Sequence, residues 1–339
     1  MNLTAPLLSF FAVYLSTPIF RKLAQKVNVL DIPNHRKVHK NPIPLLGGIA
    51  VYLGVALGLW LNFNQFPLFL GVFLAATLIL ITGLIDDMFG LSVQIRLIVQ
   101  FLAALILIGL GLKLSFLPNN LWGDAGEIIL TFIWVIGITN ALNNLDGIDG
   151  LASGSAAISS FFFAFISYRM NQPQLAMICL ILGASCLGFL PHNFSRNKIF
   201  LGDAGSNFIG FMLASIALTG DWAKDGVVRI SVPILILAVP IFDMIFTSVM
   251  RVKEEKVRSV LEWMKYGGKD HLHHRLVDIG LSPAGAVIFI YFVTFSFGIS
   301  ALIVSRARAF VGVLSILQAG IILTGIAVLA VIGKKENGY

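Results

Sequence analysis

The chain has 339 residues, 57% of them hydrophobic and only 12% charged, with a mean hydropathy of +0.89. Soluble domains carry about 25% charged residues, so this composition excludes a two-domain soluble protein and points to a polytopic membrane protein. The net charge of +7 would suggest nucleic acid in a soluble chain; here it reports topology and attraction to anionic membrane lipids, and no nucleic-acid partner is expected.

Apolar segments near the length that spans a bilayer run over residues 3–20, 45–63, 67–85, 95–112, 127–142, 151–167, 173–190, 206–219, 228–249, 284–304 and 309–332. They predict an all-α polytopic integral membrane protein of about eleven transmembrane helices, forming a single domain over 1–339. The first segment has no basic residue before it and is followed by Arg21, Lys22 and Lys26, which does not read as a cleavable signal. Cys179 and Cys186 share one segment at a helical separation of about 10 Å, too far for a disulfide. No inverted repeat is visible, which disfavours many transporter folds.

An odd number of spans places the termini on opposite sides. One set of loops (21–44, 86–94, 143–150, 191–205, 250–283 and the C-terminal tail), with Arg96 just inside its helix, then holds all of the 24 Lys and Arg except Lys113, Arg169, Lys224, Arg229, Arg306 and Arg308. The positive-inside rule makes that set cytoplasmic and the N-terminus external. All six histidines fall on the same side, with Asp86, Asp87, Asp146, Asp149 and Asp203. The bilayer rule accounts for the basic residues but not for these, so an active face is expected in the cytoplasm.

Five clusters in chain order carry candidate chemistry. The first is basic, Asn34 to Lys40, followed by Pro42, Pro44 and Gly47-Gly48; it serves the positive-inside bias, and Lys40 is also placed to hold a lipid phosphate. Asp86-Asp87 closes the third segment, where ionisable groups are costly and negative charge opposes the helix dipole. Two adjacent carboxylates can bind a divalent cation or act as a base, and Arg96 opens the next segment near them. The stretch Asn140 to Gly150 joins two apolar segments with three Asn, two Asp and two Gly. Local turn preferences favour those residue types too, but one helical turn would bring Asn143 and Asp146 together, and Asp149 is spaced likewise.

The fourth cluster runs from Asn193 through Phe200 to Gly202-Asp203-Ala204-Gly205-Ser206, at the start of an apolar segment. Asp203 there would cap the helix or ligate Mg²⁺. In the loop 250–283, Val257, Val260, Leu261 and Met264 predict a short amphipathic surface helix. It is followed by Asp270-His271-Leu272-His273-His274-Arg275-Leu276. Zinc is disfavoured there by the absence of nearby cysteines and of a His-Glu-x-x-His pattern; a basic claw for a diphosphate fits better.

In order and spacing these clusters resemble the polyprenyl-phosphate N-acetylhexosamine-1-phosphate transferase superfamily, glycosyltransferase family 4, from about Pro33 to Leu281. The His271 to Leu276 form looks like the branch that transfers GlcNAc-1-phosphate to undecaprenyl phosphate. The peptidoglycan branch, which transfers phospho-MurNAc-pentapeptide, usually has ten spans and three consecutive histidines. Arg96 stands where family members often have Lys, which keeps the charge but alters phosphate geometry.

The resemblance implies a multi-pass plasma-membrane enzyme that joins a UDP-sugar to undecaprenyl phosphate with release of UMP, with Mg²⁺ as cofactor, Mn²⁺ as a possible substitute and a homodimer as a possible assembly. It implies Asp203 and Asn143 as metal-site positions, with Asp87 as a third. It places Asp86 on the lipid phosphate, Asp146 and Asp149 near the nucleotide, and Asn193 and Phe200 in the uridine pocket. Arg96, His271, His273, His274 and Arg275 would contact the diphosphate or sugar. The rival from another class is a proton- or ion-coupled transporter, which would place its ionisable groups at mid-span with access from both sides.

Overall fold

The computed structural model describes residues 3–33, 41–62, 67–118, 120–195, 198–259, 262, 266, 268 and 270–336. Its helices are α1 (Thr4–Lys26), α2 (Gly47–Trp60), α3 (Pro67–Phe89), α4 (Val93–Gly109), α5 (Leu121–Leu145), α6 (Leu151–Arg169) and α7 (Pro173–Asn193). They continue as α8 (Gly202–Thr219), α9 (Gly226–Ile236), α10 (Ala238–Lys253), α11 (Leu272–Asp278), α12 (Pro283–Val304) and α13 (Ala309–Glu336). Lys40 and the rest of the basic cluster at 34–40 lie outside the described residues, as do Val260, Leu261 and Met264 of the expected amphipathic helix.

Every apolar segment of the sequence is helical, but the helices are unequal. Seven are long and apolar enough to cross a membrane: α1, α3, α5, α6, α7, α12 and α13. The segment at 228–249 is two helices, α9 and α10, bent by 78°, and would make an eighth span if taken as one. The helices α2 and α4 are shorter apolar rods. A feature the apolar pattern did not predict is a small antiparallel sheet, β1 (Leu30–Asp31) on β2 (Ile43–Pro44), with Leu30 opposite Pro44 and Asp31 opposite Ile43.

The helix α8 is the hub. Nearly every residue from Gly202 to Ala217 is buried, and it packs on α2, α3, α5, α6 and α7. Small residues make the close packing possible: a β-carbon on Gly83 of α3 would meet Ala204 Cα at 2.5 Å, and one on Gly210 would meet Thr139 Cα at 2.9 Å. The segment before α8 is laid beside β2 by backbone bonds, Phe200 N–H to Pro44 O (2.8 Å), Gly47 N–H to Phe200 O (3.0 Å) and Gly48 N–H to Leu201 O (2.9 Å). The N-terminus of α8 is thereby fixed relative to α2 and α3.

Two prolines free helix carbonyls, since proline has no N–H to give four residues back. Pro18 frees Tyr14 O, which lies 2.8 Å from Nε2 of His192 on α7. Pro240 frees Ile236 O at the α9–α10 bend, and Ser159 Oγ donates to it at 3.2 Å. His192 therefore has a place in helix packing, apart from the other histidines. Both cysteines are free and buried within α7.

Candidate active site

Three helix ends meet at the N-terminus of α8. The α8 start has no side-chain cap of its own, and its free N–H groups are taken by α3. Asp87 Oδ1 accepts Asp203 N–H at 2.8 Å and Oδ2 accepts Ala204 N–H at 3.1 Å. Asp87, not Asp203, is thus the carboxylate that caps α8, which corrects the capping role considered for Asp203. Gly202 makes the approach possible: its φ is +74°, and a β-carbon there would lie 2.5 Å from Asp87 Oδ2 and 2.8 Å from Leu45 O.

Relieved of capping, the Asp203 carboxylate faces its neighbours. Asn143 Nδ2 at the end of α5 donates to Asp203 Oδ1 (2.8 Å) and to Ser206 Oγ (2.9 Å). Arg96 Nη1 lies 3.5 Å from Asp203 Oδ2 and donates to Asp86 Oδ2 at 2.9 Å. Asp86 is well buried and its Oδ1 also accepts Leu91 N–H at 2.6 Å. The side chain of Asp203 is 36% exposed against 8% for Asp86, so Asp203 is the more open of the two. Asp146 follows as the C-cap of α5; burial, then the charges of Asp203, Asp87 and Asp149, holds its carboxyl well above the usual carboxylate range.

Asp86, Asp87, Asp146 and Asp203 gather four carboxyl groups near the single guanidinium of Arg96, so ionising all of them needs more positive charge than Arg96 supplies. Hard oxygen donors with surplus negative charge suit a divalent cation such as Mg²⁺. Among the described residues no three His, Cys, Asp or Glu side chains gather as a ready metal cage. An ion held here would complete its shell with water and substrate oxygens, which is the usual habit of Mg²⁺.

Beside the cluster lies a second set. Lys198 Nζ is 2.8 Å from Asp149 Oδ2 and 5.2 Å from the centre of the Phe200 ring. Asn193 sits behind them, buried: its Oδ1 accepts Gly150 N–H and its Nδ2 donates to Ile199 O at 2.9 Å. Both ends of that amide are engaged with backbone, so Asn193 shapes the place where Asp149 and Phe200 meet and does not offer its amide to a ligand.

The His271 to Leu276 motif forms the start of α11 and its approach. His271 Nδ1 is 2.7 Å from Asp243 Oδ2, and Asp243 Oδ1 accepts Leu272 N–H at 2.6 Å. Arg251 makes a two-pronged pair with Asp270, Nε to Oδ2 and Nη2 to Oδ1, both at 2.8 Å. Burial pushes the Asp270 carboxyl up, but the hydrogen bonds and charge of Arg251 more than offset this and hold it below the usual range. Arg275 turns inward, with Nε on Asp270 O at 2.8 Å and the guanidinium 5.3 Å from the Phe246 ring.

The structure therefore separates residues that the sequence grouped as one claw. His271 and Arg275 are bound within the fold, because buried donors and acceptors must find partners. His273 is 1% exposed, and neither ring nitrogen has a hydrogen-bond partner among the described residues. His274 lies beside it, ring centres 4.2 Å apart. His273 packs on Gly147, which joins this motif to the Asn140 to Gly150 stretch. Sequence reasoning did not mark Asp243, Arg251, Asp270 or Lys198 as site residues. Asp243 had a readable signal, an acid inside an apolar segment; the pairing of Arg251 with Asp270, nineteen residues apart, had none.

Comparison with known proteins bears on this arrangement. The model of glycosyl transferase family 4 matches residues 69–221, which hold Asp86, Asp87, Arg96, Asn143, Asp146, Asp149 and Asp203. A relative from Bacillus subtilis (strain 168), a "Probable undecaprenyl-phosphate N-acetylglucosaminyl 1-phosphate transferase", is 34% identical over 89% of this chain and 84% of its own length. The chain belongs to glycosyl transferase family 4. A decaprenyl-phosphate N-acetylglucosaminephosphotransferase from Mycobacterium leprae is 31% identical over 100% of this chain and 91% of its own. An undecaprenyl-phosphate alpha-N-acetylglucosaminyl 1-phosphate transferase from Escherichia coli (strain K12) is 31% identical over 86% and 81%.

Proposed function

We propose that this chain transfers GlcNAc-1-phosphate from UDP-GlcNAc to undecaprenyl phosphate, giving undecaprenyl-diphosphate-GlcNAc and UMP. The observation that carries it is the meeting of Asp86 and Asp87, Asn143 and Asp146, and Asp203 with Arg96 at one helix N-terminus. An oxygen of the lipid phosphate attacks the β-phosphorus of the UDP-sugar. The bond from that phosphorus to the oxygen bridging to the α-phosphate breaks, and UMP leaves with both electrons. Such a transfer is catalysed mainly by positioning and charge stabilisation.

In this reading Arg96, held by Asp86, orients a phosphate. A phosphate monoester is already mostly ionised near pH 7, so Asp86 acts through Arg96 and takes no proton. Asp203 and Asn143, with Asp87 fixing the α8 start behind them, would hold Mg²⁺. When bound, that ion offsets the charge of the diphosphate and of the departing UMP. Asp149, Lys198 and Phe200 form the nucleotide end, the ring offering a face to the base. His273 meets the Asn140 to Gly150 stretch at Gly147, with His274 beside it. Lys40 remains a candidate for the lipid phosphate.

The names of the relatives above favour GlcNAc over the phospho-MurNAc-pentapeptide alternative. A transporter would need ionisable groups at mid-span and access from both sides; the clusters here gather at helix ends. We place this face in the cytoplasm, the chain in the plasma membrane with eleven crossings, and the N-terminus outside, on the bias of Lys and Arg. The experiment is to incubate the purified full-length protein with Mg²⁺, undecaprenyl phosphate and a panel of UDP-sugars, and to follow UMP and lipid-linked product. Release of UMP from UDP-GlcNAc supports the reading; turnover of UDP-MurNAc-pentapeptide alone moves the chain to the other branch.

A further inference from the structure

We propose that Asp243 is a positioning residue: through His271 it fixes the tautomer and seat of the His271–His274 segment, and so sets His273 against Gly147 at the carboxylate cluster. The inference rests on the transferase reading above. Asp243 is 1% exposed and belongs to α10, whose direction is set by the 78° bend after α9. One carboxylate oxygen meets His271 Nδ1 and the other takes the first N–H of α11, that of Leu272. The side chain thus holds both the ring and the backbone that carries His273.

The far side of the ring demands the same tautomer. Arg251 Nη2 lies 3.3 Å from His271 Nε2, and a guanidinium only donates. Nε2 is therefore the acceptor and the hydrogen resides on Nδ1, where the Asp243 oxygen accepts it. The guanidinium is itself locked by its two-pronged bond to Asp270. Asp243, His271, Arg251 and Asp270 form a buried brace in which each member specifies the next. Both nitrogens of His271 are used, and the ring stacks parallel on His273, centres 5.9 Å apart. His273 is the ring whose buried nitrogens have no hydrogen-bond partner among the described residues.

Asn cannot replace Asp243 without changing this. Its one oxygen can serve Leu272 N–H, leaving an amide N–H₂ against Nδ1. The ring must then carry its hydrogen on Nε2, against the Arg251 donor. If instead the oxygen serves Nδ1–H, the first N–H of α11 loses its acceptor. Either arrangement unseats His273 while keeping the size of the side chain.

The test uses the full-length protein in detergent with isotope-labelled histidine. Ring-nitrogen NMR reports tautomers directly, and His271→Gln assigns the signal. The expected result is an Nδ1–H form for His271 in the wild-type protein, lost in Asp243→Asn. The same variant should show kcat for UMP release down at least about tenfold, with KM for the UDP-sugar within about twofold and the thermal midpoint little changed. An Nε2–H form in the wild-type protein overturns the proposal, whether or not the variant folds. So does a folded Asp243→Asn protein with wild-type kcat. Wild-type protein that releases no UMP from any UDP-sugar overturns the transferase reading instead, and the spectra still decide the brace.

Discussion

The imidazole of His273 rests on the α-carbon of Gly147, so close that a β-carbon there would collide with Nε2. This contact joins two motifs more than a hundred residues apart and leaves room for one arrangement of the ring. Gly147 has no positive φ, so Ala is compatible with its backbone and tests the contact alone. Gly147→Ala should lower UMP release at least about tenfold, with a small change in thermal midpoint. Wild-type turnover would show that His273 need not sit there.

The division of labour between Asp87 and Asp203 predicts opposite outcomes for the same chemical change. Asp203→Asn removes an open, anionic oxygen and should cost about a hundredfold in turnover, about 2.7 kcal/mol of transition-state stabilisation, with stability nearly kept. Asp87→Asn leaves one oxygen where two accept separate N–H groups and should lower stability by about 1–2 kcal/mol. Turnover across a Mg²⁺ or Mn²⁺ titration, beside thermal unfolding in detergent, measures both. A near-normal rate for Asp203→Asn at ordinary Mg²⁺ would remove Asp203 from the metal site.

Gly202→Ala combines a left-handed backbone with a clash on Asp87. The backbone cost alone is about 1–2 kcal/mol. Thermal unfolding should therefore show a clear loss of stability, larger than that of Gly109→Ala, where a β-carbon meets nothing within 4 Å and φ is ordinary.

His273 makes stability depend on pH. Burial, then the neighbouring His274, pulls its pKa down to about 3, from an ordinary value near 6.5. The unfolded chain takes up the proton as pH falls through 6.5, while the folded chain resists until about 3. The contribution is therefore complete above 6.5 and is lost progressively on acidification, about 2 kcal/mol by pH 5. Thermal midpoints from pH 7.5 to 5 should fall for the wild-type protein and fall less for His273→Gln. Equal slopes would show that His273 is protonated in the folded protein.

Sidedness is open to direct labelling. The carboxylate cluster lies at the start of α8, and Lys113, Asp221 and Arg229 surround a cavity of about 180 Å³ at its other end. An 18-residue helix separates them, about 27 Å at 1.5 Å per residue. Single cysteines at Ser195 and Glu255 should react only from the cytoplasm, and one at Asp225 only from outside. Labelling of Ser195→Cys and Asp225→Cys from the same side would end the assigned topology.

The apolar segments were legible because the bilayer imposes a length and a composition on each span. The carboxylates and histidines were legible because charge in such a chain is scarce, so each cluster stands out. Local sequence could not show that α9 and α10 part at 78°, since Pro233 and Pro240 permit a bend without setting its direction. Nor could it show which acid caps α8: Asp203 is adjacent in sequence, but Asp87 is brought there by the packing of α3 against Gly202. The pairing of Asp243 with His271 and of Arg251 with Asp270 likewise depends on where α10 points. Members of one motif carry the same residue types, and only partner geometry separates His271 and Arg275, whose polar groups are satisfied inside the protein, from His273, whose buried ring nitrogens have no hydrogen-bond partner among the described residues.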